Sequence, residues 1–398
     1  MGKRQRRKRS AKRKREKQSV TELPEEVIDY ILTRLPVKDL LRFRCVSKRW
    51  CALIDSPMFI KLHLNQSLQT GTSNLSLILK NGTNLYSVDI DMLDVVLKAG
   101  GDSVPRLDVV QVHNPFKFEA RWTDVDGSCN GLILLYGIKD EAIALLNPST
   151  NAYRILPPLS RGNASSYPFH GLVYDPVGDD YKIIKIMQFY GDNDSFYHKV
   201  MVYSLRSNMW RRICESFSYY LFFNWKSLSS GVLVNGALHW LARRDRVDLF
   251  DIVVAFDPVD EEYQEVQVPQ VPSCNHGILG VVGRRLCIFY ITEEDHSEAA
   301  VELWIMNDYM VESSWTKQCT VMVPKEKASY VDDIMECLKV LASSNNILLW
   351  ASSNCDSLFR MFGRFNCYDL KEKRDVNLGG SSAKEVNVKS LVKLSHYQ

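Results

Sequence analysis

Apolar residues recur at two different spacings along this chain. Between residues 21 and 60 they return every three or four positions, as at Ile28, Ile31, Leu32 and Leu35, which is the period of one face of an α-helix. Beyond residue 70 they stand in short alternating runs broken by turn dipeptides, which is typical of β-strands. The pattern predicts a small helical unit followed by an all-β domain.

Prolines divide the helical unit. Pro24 suits a first helical turn, and the acidic pair Glu25 and Glu26 after it complements the helix dipole. Pro36 ends that helix, and a second apolar stripe runs on to Trp50. We therefore predict three short helices.

The helical unit has more large apolar side chains than about 40 residues can bury against one another. Such a surplus predicts a docking partner for the helices. The alternative is that the surplus packs on the C-terminal domain.

The β-rich part repeats a unit of two hairpins. It is clearest in SSGVLVNGALHWLA followed by IVVAFDPVDEEYQEVQVP, where Asn235-Gly236 indicates a type I′ turn and Asp257-Pro258 a second turn. The third strands of the units centre, at steps of about 50 residues, near Asn147, Tyr203, Phe256, Trp304 and Tyr368. Four strands at that period predict a β-propeller of about six four-stranded blades, within a range of five to seven. A hairpin in NLSLILKNGTNLYSVDI precedes the repeats, and SLVKLSHYQ at the C-terminus is the candidate closing strand.

Charge is distributed unevenly along the 398 residues. The formal net charge is +3, but residues 1–17 hold 11 Lys or Arg and one acid, so the rest of the chain, with 39 basic and 46 acidic residues, has a charge of −7. Such a basic segment is typical of a nuclear-import signal or an RNA contact, or of a solvated arm without a partner. The candidate import residues are Lys3, Arg4, Arg6, Arg7, Lys8, Arg9, Lys12, Arg13, Lys14 and Arg15. We expect the protein in the nucleus, the cytoplasm or both, and no nucleic-acid contact outside this tail.

The sequence has no signature of catalysis, metal binding or membrane insertion. Its ten cysteines form no C-x-x-C pair, its longest apolar runs are too short to cross a bilayer, and it contains no phosphate loop, G-x-S-x-G elbow or H-E-x-x-H motif. We expect no cofactor, no metal and no enzymatic activity. His239 is interpreted as a structural histidine, and Asp175, Asp257 and Asp369 as caps of turns.

In a propeller blade, the connections between strands alternate between two faces. Here one set is tight, and the other is long and varied, at residues 157–169, 188–199, 214–229, 242–251, 267–277, 292–300, 321–337 and 351–363. Varied loops on a rigid scaffold usually carry binding specificity. The candidate substrate-binding residues are Tyr219, Tyr220, Phe222, Phe223, Trp225, Arg243 and Arg244, and the alternative is that these aromatic rings pack between blades.

The helical segment resembles an F-box. Its pattern is Leu-Pro, an apolar helix, Leu-Pro-Val and an apolar helix that ends at Trp. The resemblance implies binding to a Skp-type adaptor and, through it, to a cullin scaffold. The adaptor-binding residues that it implies are Leu23, Pro24, Ile28, Ile31, Leu35, Pro36, Val37, Leu40, Leu41, Val46 and Trp50.

Most of residues 70–390 resembles the F-box-associated, kelch-like propeller domain of plant F-box proteins. The shared elements are residues 130–132 (NGL), 147–150 (NPST), 174–176 (YDP) and 235–241 (NGALHWL). The expected domains are a basic tail at 1–18, the F-box at 19–66 and the propeller at 70–398. This organisation implies the non-catalytic substrate-recognition subunit of a Skp-cullin-F-box ubiquitin ligase, which binds a protein for ubiquitination. The alternatives are a nuclear protein- or RNA-interaction scaffold outside ubiquitination and, third, an enzyme with an unrecognised propeller site.

Overall fold

A computed structural model of the chain gives the positions of most residues between Pro24 and Tyr397. The described residues are 24–69, 74–81, 84–89, 109–116, 123–160, 162, 168–192, 195–213, 217–221, 230–245, 251–271, 277–293, 298–324, 347–353, 363–369, 374–379 and 382–397. The basic tail at 1–18 lies outside these residues.

The N-terminal unit has four α-helices: α1 (Glu25–Leu32), α2 (Val37–Phe43), α3 (Lys48–Ile54) and α4 (Pro57–Gln69). The prediction of three short helices is wrong by one, because α4 was not expected. Ser56 starts α4 by accepting a hydrogen bond from the backbone N–H of Phe59 at 3.2 Å, and Pro57 occupies the first helical position. Ser47 caps α3 in the same way, through the N–H of Trp50.

The remainder is a β-propeller, as the repeats predicted. Blade 1 comprises β24 (Ser382–Val388), β1 (Leu75–Asn81), β2 (Asn84–Asp89) and β3 (Val109–Val112). Blade 2 comprises β4 (Thr123–Cys129), β5 (Leu132–Gly137), β6 (Ala142–Asn147) and β7 (Ala152–Ile155), and blade 3 comprises β8 (Phe169–Asp175), β9 (Asp180–Tyr190), β10 (Phe196–Ser204) and β11 (Met209–Arg212). The predicted third-strand centres Asn147, Tyr203, Phe256 and Trp304 each lie in the third strand of their sheet, whereas Tyr368 lies in the second strand of a sheet with three described strands.

Two further blades and a smaller sheet follow. Blade 4 comprises β12 (Tyr220–Leu221) and β13 (Val232–Val234), which both pair with β14 (Ala237–Arg243), and then β15 (Ile252–Phe256) and β16 (Tyr263–Gln267). Blade 5 comprises β17 (Gly277–Val282), β18 (Arg285–Glu293), β19 (Glu298–Met306) and β20 (Trp315–Pro324). The last sheet comprises β21 (Ile347–Ser353), β22 (Gly363–Asp369) and β23 (Arg374–Gly379).

The blade count is below the central prediction of six and within the range of five to seven. The described residues form five blades with four or more strands, rather than about six, together with the three-stranded sheet β21–β23. The first strand expected for that last unit, around residues 340–344, lies outside the described residues.

The tight turns have the geometry that their residues require. Asn235 has φ 49° and Gly236 φ 81°, so the predicted type I′ turn is confirmed. Asp175 Oδ1 accepts from the backbone N–H groups of Val177 and Gly178, each at 2.9 Å, and Asp257 Oδ1 accepts from Val259 at 2.7 Å. The predicted capping is therefore present at Asp175 and Asp257, while the side chain of Asp369 lies outside the described part.

The propeller is closed by its two ends. Strand β24 pairs antiparallel with β1, with Leu75 opposite Val388 and Leu77 opposite Val386. The closing strand is therefore Ser382–Val388. The prediction that SLVKLSHYQ closes the ring is wrong, because that segment continues past the sheet and ends in a 3₁₀ turn, Leu394–Tyr397.

Candidate protein-binding faces

The four helices pack on one face of the propeller. We call it the tight-turn face, because it carries the connections between the first and second and between the third and fourth strands of the blades. Lys61 of α4 forms an ion pair with Asp179, in the β8–β9 turn, at 2.8 Å. Arg284, in the β17–β18 turn, donates to the carbonyl of Leu68 at 3.4 Å. The opposite face, which carries the long connections, is the long-loop face.

The C-terminal segment, residues 389–397, lies between the helices and the tight-turn face. Its residues Leu391, Val392 and Leu394 are buried in one apolar cluster with residues of both units, among them Ile54 and Leu145. Arg154 of β7 donates to the carbonyl of Leu394 at 2.6 Å. The segment therefore contributes to a continuous core that joins the two units.

A charged cluster completes this contact. The Asp55 carboxylate lies 2.8 Å from Arg44 and 2.8 Å from Lys393 of the C-terminal segment. Burial raises the pKa of Asp55, but the hydrogen bonds from Lys393 and Arg44 outweigh it and hold the pKa below its ordinary value. The carboxylate therefore stays charged between its two cationic partners.

The structure divides the candidate adaptor-binding residues into two groups. Val37 and Leu40 are fully buried within the chain, so they hold the helices together. Ile31 is 45% exposed and Val46 63% exposed, and Pro24 and Pro36 are also at the surface. Four further candidates have intermediate exposure: Ile28, Leu35, Leu41 and Trp50. Leu23 lies outside the described residues.

Both explanations of the apolar surplus are therefore partly realised. Leu32, Ile54 and Leu64 belong to the core shared with the propeller. Other large apolar side chains, outside the candidate adaptor-binding set, remain at the helical surface, notably Val27 and Tyr30 beside Ile31. Arg34 lies over the Tyr30 ring with its guanidinium carbon 3.4 Å from the centroid, which holds this side chain at the surface.

On the long-loop face, the structure brings two of the candidate substrate residues together. Tyr220 of β12 is the register partner of Arg243 of β14. Arg243 forms an ion pair with Asp251 at 2.7 Å. The neighbouring Arg244 pairs with Glu265 at 2.7 Å, and Phe222, Phe223 and Trp225 lie outside the described residues.

Tyr219 is largely a packing residue. Its ring contacts Phe217 with centroids 5.4 Å apart, and it lies against the core between blades 3 and 4. Burial raises its pKa above the ordinary value, with a further contribution from the charge of Glu265. Tyr219 therefore fits the alternative in which these rings pack between blades.

The sequence analysis missed an aromatic hairpin on the long-loop face. Strand β9 pairs with β8 only as far as Ile186, whereas its pairing with β10 continues to Tyr190, so the end of the hairpin extends beyond the blade. Phe189 and Tyr197 stack across it with centroids 5.0 Å apart, and Tyr197 is 59% exposed. The signal was the pair of aromatic dipeptides on either side of the turn in QFYGDNDSFYH, inside a range predicted only as a varied loop.

The other face of this hairpin packs on blade 4. The Tyr190 hydroxyl lies 3.4 Å from that of Tyr220, and Phe196 meets the Tyr220 ring edge-on at 5.5 Å. Tyr220 therefore supports the hairpin from behind, and the rings of Phe189 and Tyr197 remain on the other side.

His239 has a structural environment. It is fully buried, with Nδ1 3.0 Å from the Val232 carbonyl oxygen and Nε2 2.9 Å from the Tyr309 hydroxyl. Burial lowers its pKa to about 4, so the ring is neutral at physiological pH.

Among the residues that the structure describes, no three His, Cys, Asp or Glu side chains are placed to hold a metal ion. In the same part of the chain, no helix is both long and apolar enough to cross a membrane.

Comparison with known proteins agrees with this architecture. Residues 20–62 match the F-box domain family, and residues 76–393 match the F-box associated beta propeller domain family. The chain is 36% identical over 355 residues to the F-box protein CPR1 of Arabidopsis thaliana, which covers 82% of this chain and 81% of the relative. Another F-box protein of Arabidopsis thaliana is 29% identical over 380 residues, 85% of this chain and 88% of its own length. The chain therefore belongs to the plant F-box proteins that carry an F-box-associated β-propeller domain.

Proposed function

We propose that this chain is the substrate-recognition subunit of a Skp-cullin-F-box ubiquitin ligase. The observation that carries the proposal is the arrangement of its two surfaces. The helices pack on the tight-turn face and keep apolar side chains exposed, while the varied connections lie on the opposite face of the same rigid propeller. One end of the molecule is thus suited to an adaptor and the other to a substrate.

The adaptor surface centres on Ile31 and Val46, together with the adjoining Val27 and Tyr30. A Skp-type adaptor bound there would connect the chain to a cullin scaffold. Val37 and Leu40 contribute indirectly, because they hold the helices in place. Burial of an exposed Ile or Val on binding is worth about 1.5–3 kcal/mol at most.

The proposed substrate surface includes the hairpin residues Phe189 and Tyr197, and Arg244 of blade 4 on the same long-loop face. Tyrosine is a favoured anchor at protein interfaces. The chain itself contributes no reacting group. It holds a protein substrate near a charged ubiquitin-conjugating enzyme, so that an encounter in solution becomes an effectively intramolecular one.

Co-purification with a Skp-type adaptor tests the adaptor surface. We expect the wild-type chain to bind, and Ile31→Asp and Val46→Asp each to weaken binding at least ten-fold, because each places a charge in an apolar interface. Val110→Asp is the matched control, since Val110 is a β-branched side chain that is 51% exposed on the outer strand β3 of blade 1. Substitution of Leu40 is unsuitable, because that side chain is 0% exposed and its loss would disrupt the helices.

Failure of the folded wild-type chain to bind the adaptor would refute the proposal. It would favour a protein- or RNA-interaction scaffold outside ubiquitination. For that scaffold, RNA binding would fall steeply with salt and would require the basic residues of the tail.

We also propose that the protein is located in the nucleus, the cytoplasm or both. The basic run at Lys12, Arg13, Lys14 and Arg15 has the composition of a nuclear-import signal. A fluorescent fusion with these four residues replaced by Gln should lose nuclear enrichment. Unchanged nuclear enrichment would show that this run is not the import signal.

A further inference from the structure

A groove of about 620 Å³ lies between blades 4 and 5 at the outer edge of the propeller. One wall is the chain that leaves β16, and the other belongs to blade 5. The lining residues are Val268, Pro269, Gln270, Trp304, Glu312, Ser313 and Trp315. Residues 268–270 of its first wall belong to the long connection 267–277, but neither the adaptor surface nor the aromatic hairpin includes any lining residue of the groove.

Both tryptophans line the groove, and the indole N–H group of each is already used within the chain. Trp304 Nε1 donates to Glu302 at 3.0 Å, and Trp315 Nε1 donates to the carbonyl of Gln267 at 3.1 Å. Trp304 is half-buried and Trp315 is 8% exposed, so the Trp304 ring offers most of the aromatic surface that a ligand can reach. The face of an aromatic ring carries negative potential and attracts cations. The groove therefore favours a positively charged group over a hydrogen-bond acceptor.

A carboxylate strengthens this preference. Glu312 is exposed at the groove, and its side chain has no ion pair within the part of the chain that the structure describes. Glu302, by contrast, is held by Lys317. Val268 and Pro269 supply apolar surface for the methylene stem of a lysine or arginine. Indole faces, an apolar wall and one carboxylate together fit a Lys or Arg side chain of a peptide.

The chain contains a segment of this chemistry. Residues 1–17 hold 11 Lys or Arg, while the rest of the chain has a net charge of −7. The described chain begins at Pro24, and the 23 residues before it can span at most about 80 Å when extended. Arg284 joins blade 5 to α4, so the groove borders the blade that contacts the helical unit.

We propose that this groove binds the chain's own N-terminal basic segment, with a Lys or Arg side chain on Trp304 and Trp315 beside Glu312. The tether raises the local concentration of the segment to about the millimolar range, so a weak contact is sufficient for occupancy. A tail held in this way is withheld from an import receptor or from RNA. This site is independent of the adaptor and substrate surfaces.

A labelled peptide of residues 1–17 tests the groove on the full-length protein. The acceptor is a chain in which the eleven Lys and Arg of the tail are replaced by Gln, so that its own tail does not compete. We expect fluorescence anisotropy to show binding that weakens with salt. The wild-type chain, whose tail occupies the groove, should bind the peptide at least ten-fold more weakly.

Variants of the acceptor locate the contact. Trp304→Ala should weaken peptide binding about five-fold, as expected for loss of a cation–π contact. Glu312→Lys, at an exposed position that does not support the core, should weaken it by at least as much. Asp140→Lys, at an exposed position in the β5–β6 turn of blade 2, is the matched control and should leave binding unchanged.

Three results would overturn the proposal. The first is no binding by the tail-substituted chain at low salt. The second is equal loss of binding in Glu312→Lys and Asp140→Lys, because the contact would then be general charge attraction. The third is equal binding by the wild-type and tail-substituted chains, because the tail would then not occupy the groove.

Discussion

Replacement of Asn147 by Ala should destabilise the contact that holds the two units together. Asn147 is fully buried at the end of β6. Its Nδ2 donates to the carbonyl oxygens of Ser390 at 3.1 Å and Val392 at 2.9 Å, and its Oδ1 accepts from the N–H of Ser149 at 2.9 Å. The substitution leaves three backbone groups without this partner.

The cost follows from those groups. Each buried polar group left unsatisfied costs about 1–3 kcal/mol, and rearrangement of the segment would recover part of this. We therefore expect the free energy of unfolding to fall by about 2–5 kcal/mol. Urea denaturation followed by tryptophan fluorescence measures it, and protease cleavage within residues 389–397 should become faster.

Asn84→Ala is the matched control. Asn84 is exposed and accepts one hydrogen bond, from Gln111 at 3.3 Å. Its loss should change the free energy of unfolding by less than about 0.5 kcal/mol. A loss below about 1 kcal/mol for Asn147→Ala would refute the argument, because the buried carbonyls would then have found other partners.

Three further predictions concern acid, packing and binding. Burial lowers the pKa values of His198 and His239 from 6.5 to about 4. Their neutral forms therefore stabilise the fold fully above pH 6.5, and that contribution is lost as the pH falls towards 4. At pH 5 the contribution of each histidine to the free energy of unfolding should have fallen by about 2 kcal/mol. Urea denaturation of His198→Gln should therefore show a smaller pH dependence than that of the wild type. An equal pH dependence would contradict this reasoning. Gly171→Ala would place a Cβ 2.5 Å from Leu238 Cδ1 in the core. Thermal unfolding should then show a loss of about 1–3 kcal/mol in the free energy of unfolding. Unchanged stability would show that the neighbouring side chains repack around the added methyl group. Tyr197→Ala should change the free energy of unfolding by less than about 0.5 kcal/mol. It should reduce the amounts of the proteins that co-purify with the chain, as measured by quantitative mass spectrometry. An unchanged set of proteins would exclude this ring from substrate binding.

The helices that the sequence predicted are those whose buried faces are apolar. The missed helix α4 buries the polar side chains of His63 and Ser67 along with Phe59, Ile60 and Leu64. His63 lies 3.0 Å from the Leu35 carbonyl oxygen, and Ser67 accepts from Asn74 at 3.1 Å. These hydrogen-bond partners allow the polar side chains of α4 to be buried. The periodicity of apolar residues gives no information about such partners, so it did not predict this helix.

The closing strand was misassigned for a related reason. Residues 390–398 (SLVKLSHYQ) are more apolar than residues 382–388 (SAKEVNV), and the more apolar segment was chosen as the strand. Its apolar residues are buried instead against the helices, at Leu391 and Leu394. Local turns such as Asn235-Gly236 were predictable from neighbouring residues, whereas pairing of β24 with β1 joins residues about 300 positions apart.

The pairing of β24 with β1 has a consequence for biosynthesis. The outer three strands of blade 1 emerge early from the ribosome, but their inner strand is among the last segments made. The residues that fix the helices to the tight-turn face come later still. A prematurely terminated product would thus contain the entire F-box sequence without a closed ring or a defined distance to the opposite face. Complete translation is therefore a condition for a fixed distance between the helices and the long-loop face. Under the proposed function, a product cut short before Ser382 would bind the adaptor without holding a substrate at that distance.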